Sequence, residues 1–335
     1  MCEMYRNLLK APIRNDRKPL HDLLPLSQPL RILIDPCDIC NFRCGYCFQS
    51  YDEEFTGTVM PKSLFQIIVK QLSEFDIPIN VVHLFGLGEP MLNPYLPDFV
   101  EILKDKGVAK EVAITSNGSR LNQLLSRQLI DAGLDRLSIS LNGIKDNHFE
   151  KFVGKRIIFD EIYEQIKYFF EIRKQCHLHV KINGEYFSRD EKEHFVELFK
   201  NYSDTLNIDH IVNVWSDIQL NECVGGTMYE LVNQDDYEQV SCNVCPQMFY
   251  ELLVHSDGSV SPCCVDYKYK KENLGNVKTQ SLKNIWNSDR LLQIRRGALE
   301  GNVCYEICKT CTYPMEASTV NLSPYREKLL EKYMV

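Results

Sequence analysis

Between residues 37 and 47 the chain reads CDICNFRCGYC, which places four thiols on one short stretch. Thiolates are soft ligands that select zinc or iron–sulfur clusters. Cys37, Cys40, Cys44 and Cys47, spaced C-x2-C-x3-C-x2-C, can close a tetrahedral zinc site. Cys40, Cys44 and Cys47 alone can instead hold a [4Fe–4S] cluster that lacks its usual fourth thiolate, so that one iron stays open for a substrate or cofactor. Spacing by itself leaves both readings standing. Further thiols gather at 242–264 and 304–311 among the fourteen cysteines of the chain. The opening stretch, MCEMYRNLLKAPIRNDRK, is polar and mixed in charge, unlike a secretory signal. A reducing, cytoplasmic setting is therefore expected, where clustered cysteines mean metal or catalysis rather than disulfides. The isolated Cys2, Cys176 and Cys223 read as small core residues.

Six short apolar runs lie between 30 and 215: LRILID (30–35), INVVHLF (79–85), KEVAIT (110–115), DRLSIS (135–140), HLHVKI (177–182) and IDHIVNVW (208–215). Each has the length and composition of a strand in a buried parallel sheet. Amphipathic helices separate them. Pro61 opens one whose Leu64, Ile68, Leu72 and Phe75 form a stripe, and Ile162, Ile166 and Phe169 mark another. SRDE at 188–191 is a capping box ahead of the fifth helix. Six βα units predict a parallel sheet, either doubly wound or a partial barrel, with chemistry at the carboxyl ends of the strands. The polar stretches fall there: PCDICNFRC, GLGEP, SNGS, Ser140 with Asn142, and Lys181 with Asn183. Polar groups at five successive strand ends exceed what loop closure needs.

After about residue 216 the pattern changes. VHSDGSVSP sets Asp257-Gly258 between alternating apolar residues, a hairpin signal that puts Cys263 opposite Leu252. A helical stretch (281–299) then leads to CYEICKTC. So short a piece has a limited core, so a metal staple is expected. The expected organisation is an N-terminal extension (1–29), a βα array (30–235), a metal-binding domain (236–318) and a helical tail (319–335). With 38 Lys and Arg against 46 Asp and Glu, the formal charge is −8, which gives no electrostatic reason to expect nucleic acid. No apolar run approaches the ~20 residues of a membrane helix.

In combination, CNFRCGYC (40–47), FGLGEPMLNP (85–94), ITSNGSRLN (114–122) and GLDRLSISLNG (133–143) resemble the radical S-adenosylmethionine (SAM) superfamily. The resemblance implies an α/β fold, a (βα)6 partial TIM-type barrel with parallel strands. It gives the cluster to Cys40, Cys44 and Cys47, with the amino and carboxylate groups of SAM on the open iron, and leaves Cys37 as a packed thiol. Gly88 and Glu89 match the family's GGE position, which binds the SAM amino group, with Leu87 replacing the first glycine. Tyr46 matches the bulky residue beside adenine, and Ser116 and Ser140 match polar positions facing the methionine and ribose. Asn117, Lys181 and Asn183 are further strand-end candidates. One departure stands out. Related proteins often carry an Arg facing the SAM carboxylate about thirteen residues after the fourth-strand Ser, where this chain has Val153, with Lys151, Lys155 and Arg156 as candidate substitutes.

HSDGSVSPCC, LGN (274–276), IW (285–286) and CKTC resemble the C-terminal SPASM/twitch region of the same enzymes. That likeness implies one auxiliary [4Fe–4S] cluster on Cys245, Cys263, Cys308 and Cys311, with Cys242, Cys264 and Cys304 as alternates and zinc as the competing occupant. The family's reaction is reductive cleavage of SAM, which yields a 5′-deoxyadenosyl radical that takes a substrate hydrogen atom. A flavodoxin- or ferredoxin-type electron donor is implied. Three outcomes compete: oxidation of a sugar- or aminocyclitol-like small molecule, modification of a peptide, and epimerisation with Cys264 returning a hydrogen atom. The eight histidines are scattered, and none is singled out as an acid or base.

Overall fold

β1 (Arg31–Ile34) is the strand from which the sheet grows in both directions. The computed structural model describes residues 18–209, 211, 214, 215, 242–316 and 320–334, so Cys2 and Cys223 lie outside the described residues. On one side of β1 lie β2 (Ile79–Leu84), β3 (Ala109–Ser116), β4 (Arg136–Leu141), β5 (His177–Asn183) and β6 (Thr205–Asp209), all parallel. They form the six parallel strands of an open, partial barrel. The crossovers contain α1 (Lys62–Leu72), α2 (Leu96–Lys106), α3 (Gln123–Asp131), α4 (Asp146–Val153), α5 (Phe159–Ile172) and α6 (Arg189–Phe199).

The expected helical stripes are buried: Leu64, Ile68, Leu72 and Phe75 in and after α1, and Ile162, Ile166 and Phe169 in α5. The capping box forms at α6, with the Ser188 hydroxyl and the Glu191 carboxylate each satisfying the other's backbone amide. Strand side chains alternate between faces. Leu137, Ile139 and Leu141 of β4 and Leu178, Val180 and Ile182 of β5 are fully buried on one face. The opposite face is polar, and the register lines it up in rows. Thr115, Ser138, His179 and Thr205 are successive partners across β3 to β6, and Ser140, Lys181 and Asn207 follow one step nearer the strand ends.

Two expectations need correction. The sixth strand begins at Thr205 rather than Ile208, while His210, Val212 and Asn213 of the expected run lie outside the described residues. Thr205-Leu206-Asn207-Ile208 alternates, with Leu206 and Ile208 buried, but the run IDHIVNVW beside it is the more apolar. The hairpin is also shifted by one residue. β7 (Glu251–Val254) and β8 (Ser259–Ser261) pair Leu253 with Ser261, so Glu251 rather than Leu252 comes level with Cys263. Gly258 takes φ +92 at the end of a three-residue loop, instead of Asp257-Gly258 forming a two-residue turn.

β7 pairs in parallel with β1, and β8 and β9 (Gly275–Asn276) extend the sheet antiparallel, so barrel and C-terminal region share one sheet of nine strands. α7 (Leu282–Trp286), α8 (Asp289–Glu300) and α9 (Arg326–Tyr333) complete the C-terminal part. The β1–β7 seam carries a buried ion pair. Arg31 Nε donates to Glu251 Oε2 at 2.8 Å, a second guanidinium nitrogen binds the same oxygen, and Glu251 is fully buried. Removing one partner strands the other's charge. Arg31→Ala is expected to cost about 3–5 kcal/mol in denaturant unfolding, and an Arg31→Met/Glu251→Leu double variant to recover most of that loss.

Candidate active site

Buried carboxylates pin the thiol loop over the strand ends. Asp35, directly after β1, accepts the Leu87 amide at 2.6 Å and the Cys37 amide at 3.3 Å. Burial, then Asp38 and Glu89, raise its pKa to about 7. Asp38 accepts the Tyr269 hydroxyl at 2.8 Å and the Thr58 amide. The Gln49 amide nitrogen donates to the carbonyls of Asp38 (2.8 Å) and Leu87 (2.7 Å). The two loops touch so closely that a Cβ on Gly86 would lie 2.3 Å from Asp35 Cγ, and one on Gly88 would lie 2.3 Å from the Cys37 carbonyl oxygen. Gly88 is thus required by loop packing, whatever else it binds. Asp35, Asp38 and Gln49 were missed in the sequence, where only their place beside the first strand's end could have marked them.

Glu89 is buried at the centre of the predicted SAM set. Its Oε1 accepts from the Ser116 hydroxyl (2.7 Å) and the Met91 amide (2.9 Å), and its Oε2 accepts from the Asn117 amide (2.7 Å). A carboxylate offers about four acceptor sites, so one remains open, on Oε2. Burial pushes the Glu89 pKa up, so an ammonium at that position would be a welcome partner. The Asn117 side chain bridges to Asn41 at 3.0 Å and reaches towards Cys40 Sγ at 4.0 Å. The half-buried Tyr46 donates to Asn142 Oδ1 at 2.8 Å, on the same oxygen that the Cys44 thiol approaches at 3.8 Å. Asn142 thereby ties the thiol loop to the end of β4. Ser140 is half-buried, and Lys181 pairs with Asp209 at 2.5 Å.

The structure brings Cys40, Cys44 and Cys47 together and sends Cys37 elsewhere. Burial raises the Cys40 thiol to about 12 and pushes those of Cys44 and Cys47 up as well, and Cys44 also feels both of the other sulfurs. Cys37 is fully buried, donates to the Ile39 carbonyl at 3.5 Å, and has Asp35, Asp38 and Glu89 rather than thiols as its charged neighbours. In the C-terminal region, burial raises the Cys245, Cys263 and Cys308 thiols. Cys308 and Cys311 act on both Cys245 and Cys263. The short helix Gln247–Tyr250 follows Pro246, so the chain from Cys245 to Glu251 is not one extended run. Of the alternates, Cys242 is spent on the Val244 carbonyl at 2.8 Å, Cys304 is exposed, and the Cys264 amide donates to Glu251 at 3.3 Å. Among the described residues, no three His, Cys, Asp or Glu converge tightly enough for a single metal ion. That is no obstacle to a cluster, whose ligands each bind a different iron.

Val153 is buried, and its carbonyl accepts the Arg43 amide at 3.1 Å. Lys151 lies over the Phe152 ring at 5.1 Å. Lys155 and Arg156 line a cavity of about 500 Å³ together with Arg43, Arg120 and Cys40.

The polar face of the sheet holds a set that the sequence did not single out. His83 Nε2 lies 2.9 Å from Thr115 Oγ1, His179 Nδ1 lies 2.8 Å from Thr205 Oγ1, and His177 Nε2 lies 2.9 Å from that same oxygen. Asn207 donates to Asp209 at 2.5 Å. Burial, then Lys181, lower the His179 pKa to about 4, and burial with Arg31, Arg136 and Lys181 holds His83 well below its ordinary value.

Residues 34–209 match the radical SAM superfamily, more than half of the chain. The chain belongs to the radical SAM superfamily. Residues 245–312 match an iron–sulfur cluster-binding domain, SPASM. Among sequence relatives, GTP 3′,8-cyclase of Aquifex aeolicus is 30% identical over 56% of this chain and 59% of its own length. A probable GTP 3′,8-cyclase of Methanococcus maripaludis is 34% identical over 33% of this chain and 36% of its own. The chain thus spans between about a third and three-fifths of the length of these two relatives. Among solved structures, Streptococcus suis SuiB bound to S-adenosylmethionine shares 17% identity at TM-score 0.62, covering 90% of this chain and 79% of SuiB. Native anSMEcpe with bound AdoMet shares 17% at TM-score 0.61, covering 91% and 96%. BtrN in complex with AdoMet and 2-DOIA shares 20% at TM-score 0.51, covering 81% and 87%. These likenesses carry the fold.

A radical SAM enzyme of this type uses a [4Fe–4S] cluster and SAM, and its SPASM region implies auxiliary iron–sulfur binding. The residues present fit both groups: these buried thiols would repel one another as thiolates, and iron supplies the positive charge that lets them ionise. Among the described residues, no helix is long and apolar enough to cross a membrane.

Two predictions follow from the thiols and the histidines. Anaerobic reconstitution with iron counting should give about eight irons per chain, falling to about four in a Cys40/Cys44/Cys47→Ala variant and about four in Cys308→Ala/Cys311→Ala. The histidines predict a pH dependence. The unfolded chain protonates His179 near 6.5 while the folded chain resists until about 4. Stability is therefore full above pH 6.5 and is lost as pH falls through that window, by about 3 kcal/mol from His179 alone. Urea unfolding at neutral and acid pH should show the drop, and His179→Gln should lessen it.

Proposed function

We propose that this radical SAM enzyme oxidises an alcohol carbon of a sugar- or aminocyclitol-like small molecule, with one auxiliary cluster as electron acceptor. The observation that carries the reading is the polar sheet face beneath the strand-end site. Its rows of Thr115, Ser138, His179 and Thr205, then Ser140, Lys181 and Asn207, offer hydrogen-bonding groups at the spacing of adjacent strands. A polyhydroxylated ring presents donors and acceptors at its edge in kind, and a site built to bond them rejects analogues that lack them. BtrN, whose structure holds AdoMet and 2-DOIA, has a similar fold.

When bound, the cluster and SAM supply the radical that takes the substrate hydrogen atom. The chain's residues do the rest. Cys40, Cys44 and Cys47 hold the cluster, and Glu89, oriented by Ser116 and the Asn117 and Met91 amides, accepts the SAM ammonium. Gly88, Tyr46, Asn117 and Ser140 border the nucleotide, and Lys181, positioned by Asp209, lies one row from His179. His83 and His179, held neutral, can hydrogen-bond a substrate hydroxyl. Cys245, Cys263, Cys308 and Cys311 hold the auxiliary cluster. The organisation into residues 30–235 and 236–318, with segments 1–29 and 319–335 outside them, belongs to the same reading.

A second reading rests on Cys264. Burial and the nearby Glu251 push its thiol up, which preserves the S–H bond that a hydrogen-atom donor needs. Incubating the reconstituted enzyme with SAM, a low-potential reductant and a panel of aminocyclitols in heavy water separates the readings. Two-electron loss from the product, without solvent deuterium and with one deoxyadenosine per turnover, is the expected outcome. Deuterium in an otherwise unchanged carbon skeleton would replace oxidation with epimerisation. Turnover of peptides alone, the class of ligand in the SuiB structure bound to precursor peptide SuiA, would overturn the small-molecule reading.

A further inference from the structure

The cavity beside Cys40 has a charge opposite to that of the protein. The chain carries a formal −8, yet Arg43, Arg120, Lys155 and Arg156 converge on this one cavity and its lining contains no carboxylate. All four are exposed, and no described carboxylate pairs with any of them. They come from three segments, and the thiol loop is hydrogen-bonded to the other two through Asn41–Ser119 and Arg43–Val153. Arg43 is on the thiol loop and caps the carbonyls of Cys40 (2.9 Å) and Phe42 (2.8 Å). Arg120 follows Ser119, whose hydroxyl accepts the Asn41 amide at 2.8 Å. Lys155 and Arg156 follow Gly154, which ends α4 at φ +66, and the Phe159 amide closes this turn on Asp146 Oδ1 at 2.8 Å.

Two large apolar side chains flank the same segments without cover. Leu124, at the start of α3, is 67% exposed, and Ile158, just after Arg156, is 53% exposed. Cations that stay hydrated and spread over a rim, with isolated apolar residues at its margin, have the make-up of a protein interface rather than of a small-anion site. A small-anion site would bury at least one of its cations against the ligand, and none of these is buried.

We propose that this face docks a small, acidic one-electron carrier protein of the flavodoxin or ferredoxin class. The inference rests on the reading that Cys40, Cys44 and Cys47 hold the SAM-binding cluster, and it adds where that cluster is reduced. Cys40 forms part of the cavity wall, so the carrier approaches the cluster from outside while Glu89 and Ser116 face it from the strand ends. One electron leaves the reduced carrier and enters the cluster, and no atom is exchanged. Arg43 donates to the Cys40 carbonyl at 2.9 Å, and a positive charge held on the thiol loop favours a more negative, reduced cluster.

The test uses Arg120→Glu and the milder Arg120→Gln in the fully reconstituted enzyme. Affinity for a flavodoxin is measured by calorimetry at low and high salt. SAM cleavage is driven either by dithionite or by that flavodoxin with its reductase. Expected are a wild-type affinity that weakens with salt, and a loss of roughly tenfold or more in affinity and flavodoxin-driven rate in the charge-reversed variant. The milder variant should fall between, and dithionite-driven cleavage should stay unchanged in both. Equal flavodoxin affinity and rate in all three proteins would overturn the docking site. So would tight binding of inorganic phosphate to the wild type alone, which would make the cavity a small-anion site. Absence of dithionite-driven cleavage in the wild type would instead overturn the cluster reading, and the docking proposal with it.

Discussion

The site depends on what lies directly after β1. That strand has parallel partners on both sides, β2 and β7, so its position is fixed from two directions before its loop begins. Asp35 then transfers the fixation to the loops. By accepting the amides of Leu87 and Cys37, one carboxylate joins the end of β1, the GLGEP loop and the start of the thiol loop. Gly86 and Gly88 have no side chains because the joint leaves no room for them. A buried carboxylate that satisfies two backbone donors is costly to remove and hard to replace, so it holds one geometry rather than an ensemble.

Much of this was legible in the sequence because periodicity and thiol spacing are local signals. Five strands, the buried stripes of α1 and α5 and the capping box follow from residues close together in the chain, whereas setting Cys37 apart from Cys40, Cys44 and Cys47 took the family resemblance. What was not legible required register. The alignment of His83 and His179 with their threonine partners depends on how β2 to β6 slide against one another, and no single segment records that. The ion pair between Arg31 and Glu251 spans most of the chain, and neither residue belongs to a motif. The hairpin register was misread by one residue because a positive-φ Gly258 serves a three-residue loop as well as a two-residue turn. The start of the sixth strand was misplaced because the run IDHIVNVW is more apolar than the Thr205–Asn207 stretch that begins the strand.

Charge is distributed with equal purpose. Acids collect beneath the thiol loop, at Asp35, Asp38 and Glu89, each satisfied by backbone or hydroxyl donors. Cations collect at its outer edge, at Arg43, Arg120, Lys155 and Arg156. Between them are the thiols, which burial keeps protonated until something positive arrives.

The C-terminal region is not an appendage to this arrangement. Tyr305 and Ser261 donate to Asp266, near Cys263 and Cys308, and the Ser261 hydroxyl also lies 2.8 Å from His255 Nε2. The His255 ring stacks on Tyr269 at 3.6 Å, and Tyr269 donates to Asp38 in the thiol loop. A run of buried contacts, with the His255–Tyr269 ring stack at its centre, thus links the surroundings of one thiol set to the loop that carries the other. Breaking one of its hydrogen bonds would leave a buried polar group unsatisfied. With β7 hydrogen-bonded along β1, this run makes the separation of the two thiol sets a property of one packed unit. If electrons pass between them, the distance they cross is set by the same contacts that fold the chain.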